Sequence, residues 1–211
     1  MTPTAEKAYR DIKERIVEGK IEPGYRVTEV ELANQLAMSR TPVRDALKKL
    51  VEDRWLEYTP NVGMRVRAWS TKDILDNLHV RQLLECEAAA LASQHITPDQ
   101  LDTLKLINTQ LRAIATLKTA EAVESMTSLN LKFHQVIWNS TTNRVLSEIL
   151  LRNVNIPTIA TTYQQYSWEN LSASLDDHDQ LIACIGQGKA EEAKRTMASH
   201  LQRATRIYKS L

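Results

Sequence analysis

Residues 39–50 read SRTPVRDALKKL, and this stretch decides the fold of the first third of the chain. Its opening serine suits a helix start, and Pro42 falls in the first turn, where a missing backbone N–H costs nothing. One side carries apolar residues at helical spacing: Val43, Ala46, Leu47 and Leu50. The other side carries Arg40, Thr41, Arg44, Lys48 and Lys49. We therefore expect a helix that buries one face and offers the other to phosphates and base edges, as a DNA-recognition helix does.

Two helices are predicted before this stretch. Residues 4–18 form an amphipathic pattern. Thr28 and Glu31 have the spacing of a capping box, which opens a second, shorter helix. Only a short turn separates that helix from Ser39. A helix, a short turn and a second helix are the arrangement that presents the second helix to a DNA groove.

A hairpin is predicted directly after the recognition helix. Residues 56–59 and 64–67 alternate between apolar and polar side chains on the two sides of a turn. Gly63 lies at that turn and lets the backbone approach a phosphate closely, and Arg65 lies in the second strand. A hairpin placed after a helix-turn-helix is a wing, so residues 1–69 are expected to form a winged-helix DNA-binding domain.

The charge of the chain does not identify its partner. The sequence has 27 basic and 26 acidic residues, and its formal net charge is +1. Residues 39–54 contain five basic and three acidic side chains, a modest excess that a solvated helix face would also explain. The prediction of DNA binding therefore depends on the order of the elements.

The rest of the chain, residues 70–211, predicts a second domain built only of helices. Helical patterns cover about residues 71–94, 98–117, 120–139, 143–165, 169–186 and 189–210. Pro157 falls inside the fourth of these, which should therefore kink. The expected fold class is mainly α: a winged helix-turn-helix followed by a bundle of about six helices.

No stretch approaches the roughly 18 apolar residues that a membrane helix needs. The first residues, MTPTAEKAYRDIKERI, lack the apolar core of a signal peptide. A cytoplasmic location without membrane contact is expected.

The stretch LANQLAMSRTPVRDALKKLVEDRWLEYTPNVGMRV resembles the winged helix of GntR-type bacterial transcription regulators. The second domain resembles the helical FCD domain, in its shorter, vanillate-regulator-like form with six helices. The resemblance implies a homodimer that binds a short palindromic operator and usually releases it when a small carboxylate binds, so a repressor is expected. It implies DNA contacts at Arg40, Thr41 and Arg44, with Lys48 at a phosphate. The sequence departs from many relatives at Val30, where they carry a DNA-contacting arginine.

Four polar residues interrupt apolar surroundings in the second domain. Asn130 and His134 are four residues apart and share one helix face, and His178 and His200 follow in later helices. Helical bundles build metal sites from such inward-facing groups, and three imidazoles suit zinc, nickel or iron. The set resembles the family's metal site with Asn130 in place of an aspartate. Zinc is the expected ion, and the alternative is a metal-free polar cavity that still binds the ligand.

Arg81 is the candidate effector-binding residue, because the resemblance places an arginine here that clamps a ligand carboxylate. Its alternative role is a surface ion pair with Glu85, four residues later on the same helix.

Two other classes of function remain to be compared. Three histidines resemble a catalytic zinc site, so a metal-dependent enzyme is one alternative, although no acidic residue stands in an obvious general-base position. The second alternative is a winged helix used only for protein contact.

Overall fold

The computed structural model describes residues 1–17, 19–117, 119–154 and 156–209. The chain divides into two compact units, and the boundary between them falls between Trp69 and Ser70. Three positions that were predicted to be helical lie outside the described residues: 18, 155 and 210. Over the described part of the chain, no helix has both the length and the apolar content needed to cross a membrane.

The first unit is a winged helix-turn-helix. Its elements are α1 (Pro3–Val17), β1 (Arg26–Val27), α2 (Glu29–Leu36), α3 (Arg40–Glu52), β2 (Leu56–Thr59) and β3 (Gly63–Val66). The predicted hairpin is present as β2 and β3, which pair antiparallel. The sequence did not predict β1, which pairs with the free side of β3 and makes a three-stranded sheet in the order β1-β3-β2. A strand of two residues is too short to show an alternating pattern in the sequence.

The core of this unit confirms the predicted apolar face of α3. Val43, Ala46, Leu47 and Leu50 have no exposed surface, and α1 and α2 pack against them. Burial of a leucine side chain contributes about 1.5–3 kcal/mol. Thr28 caps α2 by accepting a hydrogen bond from the Glu31 backbone N–H at 3.2 Å. This core holds α3 rigidly, with its polar face outward.

The second unit contains seven helices in the described residues. They are α4 (Thr71–His95), α5 (Pro98–Ala115), α6 (Ala120–Asn139), α7 (Arg144–Asn153), α8 (Ile156–Gln165), α9 (Trp168–Gly186) and α10 (Ala190–Lys209). The predicted fourth helix is two helices, α7 and α8. Val154 is extended, and Pro157 lies in the first turn of α8, where its missing N–H is tolerated, so the proline begins a helix instead of kinking one.

Helix α4 forms the centre of the bundle. It packs extensively along α10 and also contacts α6, α7 and α9. Ala88, Ala89 and Ala92 of α4 are fully buried, and small side chains allow helices to approach closely. The predicted fold class, mainly α with a winged helix-turn-helix and a helical bundle, is confirmed. The bundle interior brings side chains of α4, α6, α9 and α10 together.

Candidate functional site

The outer face of α3 carries the basic residues that the sequence analysis assigned to DNA. Arg40, Thr41, Arg44 and Lys48 are all exposed. Arg40 Nη2 lies 3.4 Å from Glu29 Oε2, and the Arg40 side chain remains 67% exposed. Such surface ion pairs contribute little to stability, so the Arg40 guanidinium can exchange this carboxylate for a phosphate or a base edge at small cost.

The wing presents two further arginines. Arg65 is exposed, and its Nη1 donates a hydrogen bond to the Gly24 carbonyl at 3.0 Å. Arg26 of β1 stands opposite Arg65 in the strand register, and a methyl group on Gly63 would lie 3.5 Å from Arg26 Nε. Gly63 has φ +103°, a conformation that favours glycine. Like charges on neighbouring strands are unfavourable by themselves, so a phosphate between Arg26 and Arg65 would stabilise the pair.

The second unit holds a cluster of three buried histidines. His134 comes from α6, His178 from α9 and His200 from α10, and one nitrogen of each ring lies within 4.8 Å of the others. Two nitrogens that each lie about 2.1 Å from one zinc ion can be at most about 4.2 Å apart. The upper limit of 4.8 Å on the nitrogen separations is slightly larger than this span.

A carboxylate fixes the proton of His134. Glu85 Oε2 lies 2.5 Å from His134 Nδ1 and accepts a second hydrogen bond from Trp138 Nε1 at 3.2 Å. Arg81 donates a hydrogen bond from Nε to the other oxygen, Oε1, at 2.8 Å, and its Nη2 lies 2.7 Å from the same oxygen as an ion pair. Burial opposes ionisation of Glu85, but Arg81 and His134 outweigh it, so the pKa of this carboxyl lies well below its ordinary value. An ionised Glu85 can only accept, which places the His134 proton on Nδ1.

His178 is held as a neutral ring with one free nitrogen. Its Nδ1 lies 3.2 Å from Asn108 Oδ1, and Asn108 Nδ2 donates to the Leu175 carbonyl. Burial, with the neighbouring His200 and His134, holds the pKa of His178 well below its ordinary value. Phe133 stacks on the ring with a centroid distance of 3.9 Å. Nε2 of His178 is buried and has no hydrogen-bond partner among the described residues, so its lone pair is available to a ligand.

His200 has a looser partner. Its Nδ1 lies 3.7 Å from Asp177 Oδ2, beyond hydrogen-bond distance, and no other described residue pairs with it. Burial lowers the pKa of His200 despite this carboxylate. Arg203 donates to the same Asp177 oxygen at 3.0 Å and 3.2 Å. Asp177 is thus occupied by Arg203 and leaves the His200 nitrogen open.

A cavity of about 40 Å³ lies beside the cluster. Its lining includes Arg81, Asn130, His134, His200, Tyr163 and Tyr166. Asn130 Oδ1 is buried and finds no hydrogen-bond partner in the part of the chain that the structure describes. Unpartnered nitrogens of two histidines and this amide oxygen form a neutral donor set, and such donors fit a divalent transition metal. The volume corresponds to about three water-sized groups, which limits any ligand to a small molecule.

Comparison with known families identifies the chain. The model of the bacterial regulatory proteins of the gntR family matches residues 4–66, and that of the FCD domain matches residues 76–203. The chain belongs to the GntR family, in its FCD group. A GntR-family member of this type is a DNA-binding transcription regulator.

Similar proteins agree with this assignment. The Nta operon transcriptional regulator of Aminobacter aminovorans is 28% identical over 182 residues, which cover 86% of this chain and 83% of that protein. The HTH-type transcriptional repressor RspR of Escherichia coli is 25% identical over 203 residues, covering 95% and 86%. The solved structure of E. coli McbR/YncC matches with a TM-score of 0.72 at 24% identity, over 100% of this chain and 99% of that one. These relatives are transcriptional regulators, and the metalloenzyme alternative has no support among them.

The structure of this GntR regulator brings most of the predicted site residues together. Asn130, His134, His200 and Arg81 line one cavity, and His178 adjoins the two histidines. Arg81 forms the ion pair with Glu85 that was its alternative role, but the pair is buried and not at the surface, with Glu85 wholly inaccessible.

The sequence did not predict two residues that lie in the candidate sites, Glu85 beside the histidine cluster and Arg26 in the wing. Glu85 was considered only as the surface partner of Arg81, although the run LLECEAAALA places its charge among apolar residues and so signals burial. Arg26 carried no signal, because its strand is too short to predict.

Proposed function

We propose that this GntR regulator is a homodimeric repressor whose binding to a palindromic operator is controlled by a small carboxylate in the FCD unit. The observation that supports this proposal is the set of unpartnered polar atoms beside the small cavity, in a chain that also carries an exposed recognition helix. Action on chromosomal DNA requires a cytoplasmic location.

The DNA contacts are assigned to the recognition helix and the wing. Arginines can make bidentate hydrogen bonds to guanine, a role that suits Arg40 and Arg44. Thr41 can bond a phosphate or meet a thymine methyl group. Lys48, Gly63 and Arg65 contact phosphates, which set the position of the protein on the duplex. A two-fold dimer would read the two halves of a palindrome.

Metal control is assigned to His134, His178 and His200, with Asn130 as an oxygen donor. Zinc is the ion we propose, and nickel and iron have the same preference for imidazole. When bound, the ion supplies a positive charge that attracts a carboxylate. Arg81 lines the same cavity and offers a guanidinium to that carboxylate. The donor set contains no carboxylate, so the ligand would bring the negative charge.

Release of DNA requires the ligand to bind one arrangement of the protein better than another. A ligand shifts such an equilibrium only by its difference in affinity for the two states. By reciprocity, operator DNA should weaken the binding of a ligand that releases it. The repressor direction is supported by the relative RspR, which is named a repressor.

We expect the protein to bind one zinc ion per chain, and His178→Ala to weaken this binding at least about tenfold, because a ligand nitrogen is lost. Isothermal titration with zinc measures the affinity. Fluorescence anisotropy of labelled operator DNA measures how zinc and acetate, added together, change the affinity of the protein for DNA. His79→Ala is the matched control, since His79 is exposed on α4. The proposed control would be contradicted if the protein binds no zinc, or if its affinity for operator DNA does not change when zinc and acetate are added.

We expect Arg26→Ala to weaken binding to all DNA sequences by about tenfold and to reduce the salt slope by about one, as loss of a phosphate contact does. Titrations at several salt concentrations measure both quantities. Arg152→Ala, which changes an exposed arginine of the second unit, should leave both unchanged. A sequence-dependent loss would instead assign Arg26 to a base edge.

A further inference from the structure

We propose that Glu85 is a positioning residue that sets the tautomer of His134, and that Arg81 serves as the counter-cation of this buried carboxylate. Glu85 comes from α4 and has no exposed surface. Its two oxygens face different partners, Oε1 towards Arg81 and Oε2 towards His134. One side chain therefore joins an arginine and a histidine that both line the cavity.

The hydrogen-bond inventory around Oε2 leaves one arrangement. Trp138 Nε1 is only a donor, so the Glu85 oxygen that it meets at 3.2 Å is an acceptor. Arg81 is ion-paired with the other oxygen of Glu85, so the group is a carboxylate that only accepts, and His134 Nδ1, at 2.5 Å from Oε2, carries the ring proton. A neutral imidazole has one protonated nitrogen, which leaves the lone pair of His134 on Nε2. Only an unprotonated nitrogen can bind a metal.

The arrangement around Oε1 explains why Arg81 cannot be replaced by a neutral group. Arg81 donates a hydrogen bond from Nε to this oxygen and forms an ion pair with it through Nη2, inside the bundle, where the pair has almost no exposed surface. A buried carboxylate without a cationic partner is strongly unfavourable, and Arg81 supplies that partner. Arg81 thus holds Glu85 as a carboxylate against His134 Nδ1.

The variant Glu85→Gln tests this role with almost no change of shape. Arg81 requires an oxygen on its side of the amide, so the NH₂ group would face His134 and donate to Nδ1. We expect His134 to change from the Nδ1–H to the Nε2–H tautomer, and zinc binding to weaken by about 10–100-fold, the usual effect of removing the carboxylate partner of a histidine ligand.

Nitrogen NMR of ¹⁵N-histidine-labelled, metal-free protein measures the tautomer, and titration with zinc alone measures the affinity. Glu87→Gln is the matched control, because Glu87 lies on the same helix, is exposed, and pairs with Lys194 of α10. It should leave both readouts unchanged. If Glu85→Gln does not fold, Glu85→Asp retains the charge but is one methylene shorter, and it should give a mixture of tautomers and weaker zinc binding.

The role of Glu85 rests on the proposed function, yet the two can fail separately. Wild-type protein that binds no zinc would overturn the metal part of the proposed function, while the tautomer of His134 would still test Glu85. An Nε2–H tautomer in the metal-free wild-type protein would overturn the role of Glu85 outright. So would a Glu85→Gln protein that keeps the Nδ1–H tautomer and the wild-type zinc affinity.

Discussion

The Arg40→Ala/Arg44→Ala double variant is expected to bind operator DNA about 10²–10⁴-fold more weakly than the wild-type protein. Each arginine that meets a base edge contributes about 1–3 kcal/mol, and the two lie on the same exposed helix face. The fold should not change, because neither side chain is part of the buried core and the Arg40–Glu29 pair is long and exposed. Circular dichroism and the melting temperature check this point.

Fluorescence anisotropy with the DNA upstream of the protein's own gene measures the loss of affinity. Arg144→Ala is a suitable control, since Arg144 is an exposed arginine of the second unit that pairs only with Glu148 of its own helix among the contacts that the described residues show. The wild-type protein should bind more weakly as salt increases, because phosphate contacts release counterions. Unchanged affinity in the double variant, without salt dependence, would favour the alternative that this winged helix contacts protein only.

Arg81→Met is expected to lower the free energy of unfolding of the helical unit by about 3–5 kcal/mol. The substitution leaves Glu85 buried without its cationic partner, and a buried charge that has lost its partner is strongly destabilising. Thermal unfolding should show a melting temperature lower by roughly 10 °C for a unit of this size. Zinc binding should weaken in parallel, because Arg81 no longer holds Glu85 against His134 Nδ1.

Arg144→Met provides a closely matched comparison for this prediction. Arg144 and Glu148 also form an Arg–Glu pair four residues apart on a helix of the same bundle, but their side chains are 89% and 48% exposed. A surface pair of this kind contributes about 0–1 kcal/mol. If the two methionine variants unfold at the same temperature, the Arg81–Glu85 pair does not stabilise the bundle as we expect.

The fold of the first unit was predicted well, because most of its elements show a pattern among residues that are close in the sequence. The apolar face of α3 and the hairpin that follows it arise from neighbouring residues, and both are present in the structure. The break between α7 and α8 was missed because a proline inside a helical pattern can kink a helix or begin one. The choice depends on residues beyond it, here an extended Val154.

The candidate site shows the limit of the same reasoning. Helical spacing correctly placed Asn130 and His134 on one inward face, and both line the cavity. Spacing alone could not tell whether the Arg81–Glu85 pair faces water or the interior, because four-residue pairs occur on both faces of a helix. The answer comes from the position of α4 at the centre of the bundle, which depends on contacts with α6, α9 and α10.

The phenyl ring beside His178 is a suitable position for a single NMR label. Phe133 is the only phenylalanine in the sequence, and its ring lies nearly parallel to the His178 imidazole, at an interplanar angle of 12°. Biosynthetic incorporation of fluorophenylalanine would therefore place a single fluorine label against one imidazole of the cluster. Its one ¹⁹F resonance would report ring movement directly, in the intact regulator and with DNA present, against a background that contains no other fluorine.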